Sequence, residues 1–203
     1  MPIIDIRTHG GKYAGIGAGG IKSIQRGLSI VSYDKYTLDV TISNVDPNKC
    51  LVFAWCVTDY SYGQRYNAFQ AYLTSATNLR LDRHSRPYDQ NTSYSWYNVA
   101  VSWIVIEFTN VKSKQEGTVS IVPSAISDAG DYHYWNVSIS SVNPSKCIVA
   151  LTYKSTEQMG NDASTYWSAM NGIYLLNNTT LQILVSSSQN YTQHYRWQVL
   201  EFN

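Results

Sequence analysis

Charge is scarce in this chain: only 14% of its 203 residues are Asp, Glu, Lys or Arg, against about 25% in ordinary soluble domains. The net charge is +1, so no field gathers a polyanion, which argues against nucleic-acid binding through phosphate contacts. No stretch approaches the ~20 consecutive apolar residues of a membrane-spanning helix, so no membrane insertion is expected. Residues 1–20 lack the basic and apolar regions of a secretory signal. Cysteine is limited to Cys50, Cys56 and Cys147, an odd count without metal-type spacing. That excludes a disulfide-stapled secreted domain and predicts synthesis in a reducing cytosol, with no metal or other cofactor. Aromatic residues, by contrast, are abundant. Seventeen Tyr and 6 Trp contribute to 13% aromatic content, which rules out disorder for the bulk of the chain.

The sequence repeats itself. Val45-Asp46-Pro47-Asn48-Lys49-Cys50 returns as Val142-Asn143-Pro144-Ser145-Lys146-Cys147, and Trp103-Ile104-Val105-Ile106-Glu107-Phe108 as Trp197-Gln198-Val199-Leu200-Glu201-Phe202. The stretch from Tyr72 to Leu79 matches Tyr174 to Leu181, and Ile21-Lys22-Ser23-Ile24-Gln25-Arg26-Gly27 matches Val111-Lys112-Ser113-Lys114-Gln115-Glu116-Gly117. Four blocks in one order indicate a duplication. The copies are placed at 21–108 and 109–203, after a Gly-rich segment at 1–20.

Each copy reads as β-structure. Leu38, Val40 and Ile42 alternate with Asp39, Thr41 and Ser43, and Trp135, Val137 and Ile139 alternate with Asn136, Ser138 and Ser140. Period two marks a half-buried strand. Leu51–Val57 and Ile148–Tyr153 are continuous apolar runs suited to strands covered on both faces. Val-Asp-Pro-Asn and Val-Asn-Pro-Ser are turn sequences, and no window sustains helical spacing. The expectation is an all-β fold of two tandem antiparallel β-sandwich repeats, each about the size of a seven-stranded sandwich.

Residues kept in both copies serve the shared fold. Trp103/Trp197, Phe108/Phe202 and Leu79/Leu181 are expected core, and Cys50/Cys147 are expected small buried hydrophobes. Lys49/Lys146 and Glu107/Glu201 are expected to pair as Lys–Glu contacts bracing strand ends. The alternative, acid/base catalysis, lacks the second carboxylate that glycoside hydrolysis needs.

Function is sought where the copies differ. The first copy carries Tyr60, Tyr62, Arg65 and Tyr66 in one loop, and Arg83, His84, Arg86, Tyr88, Tyr94 and Trp96 in another that is longer than its counterpart. Aromatic faces stack on sugar rings and Arg bonds hydroxyls, so these ten residues form a candidate glycan-binding set. Packing of the loops or of the contact between copies is the structural alternative. The second copy has its own cluster at Asp131-Tyr132-His133-Tyr134-Trp135, with the same two readings.

Enzyme motifs are missing. His9, His84, His133 and His194 are scattered, with no metalloprotease or triad-like neighbourhood. Gly15-Ile16-Gly17-Ala18-Gly19-Gly20 fits the dinucleotide pattern only formally, because strand chemistry and no helix follows it. No catalytic residue is assigned. The sequons at Asn91, Asn136, Asn177, Asn178 and Asn190 reflect the Asn/Ser/Thr richness of a β surface. Six of the 12 glycines lie between Gly10 and Gly20. Such a tract serves either as a flexible linker or as a close-approach interface, and attachment or oligomerisation is favoured.

The Ile21–Gly27 block, the Val-Asp/Asn-Pro-x-Lys turn and Trp-x-Val-x-Glu-Phe resemble a repeat of small virion proteins of tailed bacteriophages and prophages. The resemblance covers residues 10–203, except that Lys114 and Glu116 replace the Ile and Arg of the first copy. It implies a non-enzymatic virion surface protein: a tail-tip or fibre adhesin contacting host glycan, or a capsid decoration or head-fibre protein without a ligand. Its implied partners are other virion proteins, through the N-terminal segment, and further copies of itself, with a trimer favoured. A polysaccharide-active enzyme is the weakest alternative.

Overall fold

The computed structural model describes residues 20–32, 35–57, 69–83, 98–122, 132–155, 172–186 and 192–203. These form strands and two single-turn 3-10 segments, with no α-helix among the described residues. The first six strands are β1 (Ile21–Val31), β2 (Thr37–Thr41), β3 (Cys50–Cys56), β4 (Gln70–Ser75), β5 (Asn78–Asp82) and β6 (Val99–Phe108). The remaining six are β7 (Val111–Ile121), β8 (Tyr132–Ser138), β9 (Cys147–Ser155), β10 (Gly172–Leu175), β11 (Thr180–Ser186) and β12 (Gln193–Phe202). All pairings are antiparallel and build four three-stranded sheets, ordered β1-β6-β3, β2-β5-β4, β7-β12-β9 and β10-β11-β8. The all-β expectation is met. Each half holds six described strands rather than the seven that its length suggested, and the run at Leu51 leaves the strand before Val57, which is exposed.

Side-chain alternation explains where the cores lie. Along β6, Val99, Val101, Trp103 and Val105 point one way and join Val31, Cys50 and Val52. Ala71, Leu79 and Leu81 of sheet β2-β5-β4 complete that cluster. A second cluster matches it, with Ile121, Tyr195, Trp197 and Val199 facing Leu181, Ile183 and Val185. Trp103 stands opposite Gly27 and Trp197 opposite Gly117, so each indole lies across a position with no side chain. Both proline turns are capped alike. Asp46 accepts from the Asn48 amide at 3.0 Å, and Asn143 from the Ser145 amide at 3.1 Å, satisfying a free N–H at the start of the turn.

A third cluster joins the halves: Leu51, Phe53 and Phe108 pack with Ala150, Leu200 and Phe202. Phe108 and Phe202 meet edge to face at 5.3 Å. Around it runs a polar seam. Strands β3 and β4 are edge strands, and an edge exposes unpaired backbone groups. Side chains of the second half cover these edges. Gln198 accepts from the Val52 amide at 3.2 Å and donates to the Val52 carbonyl at 3.1 Å, while Thr152 accepts from the Ala71 amide at 3.3 Å. Lys154 pairs with Asp82 at 2.6 Å, Lys114 donates to the Pro47 carbonyl at 3.0 Å, and Arg196 lies 4.2 Å over the Tyr72 ring.

Gln198 and the Val52 groups that it serves are buried. Gln198→Leu therefore strands a buried donor and acceptor and is expected to cost about 2 kcal/mol, the order of unmade buried hydrogen bonds less the gain from the added apolar group. Urea unfolding reads it directly. An unchanged midpoint would mean that the amide does not hold the edge.

Candidate functional site

Nine of the ten residues singled out from the first copy (Tyr60, Tyr62, Arg65, Tyr66, His84, Arg86, Tyr88, Tyr94 and Trp96) lie outside the described residues. The tenth, Arg83, is buried. Its guanidinium donates to the carbonyls of Ser32 at 2.7 Å and Lys35 at 2.8 Å, tying the end of β5 to the turn after β1.

The matched glutamates do not take the lysines expected for them. Antiparallel pairing sets Glu107 opposite Ser23 and Glu201 opposite Ser113, so the neighbouring Lys22 and Lys112 reach them at 2.8 and 3.0 Å. Lys49 pairs instead with Asp46 at 3.7 Å. Each glutamate also accepts from a serine hydroxyl, Ser23 at 3.2 Å or Ser113 at 3.1 Å. Each further accepts from the backbone amide at the head of a proline turn, Asp46 at 3.1 Å or Asn143 at 2.9 Å. Burial pushes both carboxyls up, but these hydrogen bonds and the lysine charge outweigh it and hold them below the ordinary carboxylate range. A carboxylate so fully engaged at neutral pH is a structural lock: it closes the turn onto the last strand. The cysteines are equally quiet, since burial pushes the thiols of Cys50, Cys56 and Cys147 up to about 12.

With the interior accounted for, the outer sheet faces remain. On sheet β2-β5-β4 the face is closed by charge: Arg80 grips Asp39 through two bonds of 2.9 and 2.8 Å, and Asn78 adds a third at 3.0 Å. Tyr72 on that face is covered by Arg196. The corresponding face of β10-β11-β8 is open and aromatic. Register places Asn136, Gln182 and Tyr174 in one row across the three strands, with Tyr134, Leu184 and Gly172 in the next. Tyr174 donates to the Gln182 carbonyl oxygen, and Gln182 donates to Asn136 at 2.8 Å. Tyr134 is 57% exposed and Tyr174 37%. Burial, and Tyr134 close by, hold the Tyr174 phenol above its ordinary range, so it stays a protonated donor.

This surface offers two exposed phenol rings beside an amide relay. Ring faces attract the C–H groups of a sugar, and amides and phenols exchange hydrogen bonds with its hydroxyls. The two tyrosines stand at diagonal corners of this patch, with Leu184 and Gln182 of β11 between them. Sequence reading reached Tyr134 through its aromatic cluster, whereas Tyr174 was noted only as a repeat position and Asn136 only as a polar strand position and a sequon. Gln182 carried no signal, because only the strand pairing brings it beside residues 8 and 46 positions away. Among the described residues no group of three or more His, Cys, Asp or Glu side chains is placed to hold a metal. No protein-family model, curated protein or solved structure matches the chain.

Proposed function

We propose that the chain is a non-enzymatic structural protein of a virion surface, built as two β-sandwich repeats from one duplication, which associates with itself and contacts host-surface carbohydrate. The duplicated-sandwich reading is supported by the matching sheet orders and by the matched glutamate locks. The virion setting rests on the sequence resemblance alone. The observation that carries the carbohydrate contact is the exposed platform of Tyr134, Asn136, Tyr174 and Gln182 on β10-β11-β8. The two halves build their cores alike and differ in what they show outside.

A glycan array probed with the full chain, alongside a Tyr134→Ala/Tyr174→Ala variant, tests this reading. The wild-type chain is expected to bind at least one bacterial-surface glycan class, and the double variant to lose about tenfold or more in affinity, or about 1.4 kcal/mol. An array without binding, or binding that the variant retains in full, rejects the platform. A ligand-free decoration protein is the second reading, favoured by the exposed apolar strand β1.

A further inference from the structure

Among the described residues, strand β1 lies at an open edge of sheet β1-β6-β3. The direction of its backbone groups follows from the other edge. Val52 gives its N–H and C=O to Gln198, so it does not bond Val105 across from it. Antiparallel pairs alternate in this respect, so Val105 turns its own groups toward Gln25, its partner on β1. Along β1, then, Ile24, Arg26, Leu28 and Ile30 aim their backbone groups at the open edge. The same residues send their side chains to the outer face, where Ile24 is 54% exposed and Leu28 and Ile30 63% each.

Strand β7 shows that the fold does not require this. Aligned on the Gly27/Gly117 pair, its outward residues are Lys114, Glu116, Thr118 and Ser120. Lys114 is buried against the Pro47 turn and pairs with Glu116 at 3.0 Å, and the exposed Glu116 is the kind of charge that guards an edge against pairing. On β1 a single charge, Arg26, interrupts a row that is otherwise apolar. The exposed row instead continues an interior one, since Ile24 stands opposite Ile106, which stands opposite Leu51 in the cluster joining the halves.

We infer that two copies of the chain pair their β1 strands antiparallel about a two-fold axis at Gly27, continuing β3-β6-β1 into the sheet of the second copy. The pairing rests on the reading of the chain as a self-associating structural protein and supplies its contact, as a dimer in place of the trimer favoured from the sequence. In this register Ile24 faces Ile30 of the second copy, and Arg26 faces Leu28. Centring on Arg26 would oppose two guanidiniums, and centring on Leu28 would leave Ile24 without an apolar partner. The strand is its own complement, as an isologous contact requires.

Light scattering on the full chain tests this, with Leu28→Pro removing one edge N–H while sparing the ladder to β6, and Thr118→Pro as the matched change on β7. Wild type and Thr118→Pro are expected at twice the 22.9 kDa chain mass, and Leu28→Pro at the chain mass with an unchanged circular-dichroism spectrum. Should Leu28→Pro fail to fold, Leu28→Lys takes its place with the same expected mass. Register is read separately: Arg26→Cys/Leu28→Cys should cross-link two copies through a disulfide, because paired backbones at about 5.5 Å suit one. A monomeric or trimeric wild type, a dimer that survives both Leu28 changes, or failure of that cross-link would overturn the pairing. A monomer that still binds the glycan array would overturn the pairing while leaving the carbohydrate reading in place.

Discussion

Glu201→Ala is expected to lower the stability of the chain by about 3 kcal/mol, and Glu107→Ala by a similar amount. Each removes a buried carboxylate that accepts from a lysine, a serine hydroxyl and a turn amide. The lysines reach outward and return to water, so the loss comes mainly from the stranded amide and hydroxyl and from the missing charge-assisted bonds. The same locks set the acid response. Their carboxyls titrate below the ordinary value of 4.5 in the folded chain. Their stabilisation is therefore complete above the unfolded value and is lost as pH falls through the folded one. Urea midpoints between about pH 7 and about pH 3 should fall steeply for wild type and less steeply for Glu107→Gln/Glu201→Gln. Parallel pH profiles for the two proteins would mean that the locks are not the acid-sensitive elements.

Gly27→Ala is expected to destabilise by about 2 kcal/mol despite adding only a methyl group. That carbon would sit 2.5 Å from Cζ2 and 2.8 Å from Cε2 of Trp103, closer than atoms pack. The indole is buried, and its N–H donates to Ser29 at 3.0 Å, so moving it loosens the core and breaks that bond. Gly117→Ala meets Trp197 at 2.7 Å and should behave alike. Gly172→Ala is the internal control, because its nearest neighbour, Leu184 Cβ, stands at 3.5 Å, and its effect should stay within about 0.5 kcal/mol. Thermal unfolding with tryptophan fluorescence separates the three. Equal effects at Gly27 and Gly172 would show that the indole does not depend on the glycine.

Period-two alternation and the repeated blocks were enough to read the β architecture, the turns at Pro47 and Pro144 and the buried Trp, Phe and Leu pairs. The partner of each glutamate was not readable in the same way. Lys49 and Lys146 are prominent because they sit in the repeated turn, yet the antiparallel return of β6 and β12 brings the first residues of β1 and β7 to Glu107 and Glu201. The signal was present, since Lys22 and Lys112 also match between copies, but sequence proximity outweighed it. The seam eluded sequence reading for another reason. Gln198, Thr152, Lys154 and Arg196 serve the edge of the other half, and one strand covering another's edge leaves no periodic mark. For the platform, pairing across β11 assembles Tyr174, Gln182 and Asn136 from three strands, and only Tyr134 belonged to a visible cluster.

The two halves build similar cores and differ outside: one outer face carries the Arg80–Asp39 ion pair, the other two exposed tyrosines. The proposed carbohydrate contact is tested most directly by following the tyrosine ring signals in carbon–proton NMR spectra of the full chain. The titrants are free hexoses, N-acetylhexosamines and 6-deoxyhexoses. With at least one of these sugars, the rings of Tyr134 and Tyr174 should shift together and saturably while the indoles of Trp103 and Trp197 stay fixed. Shifts centred on Glu107 or Glu201, or no shift at either tyrosine with any of the sugars, would contradict it.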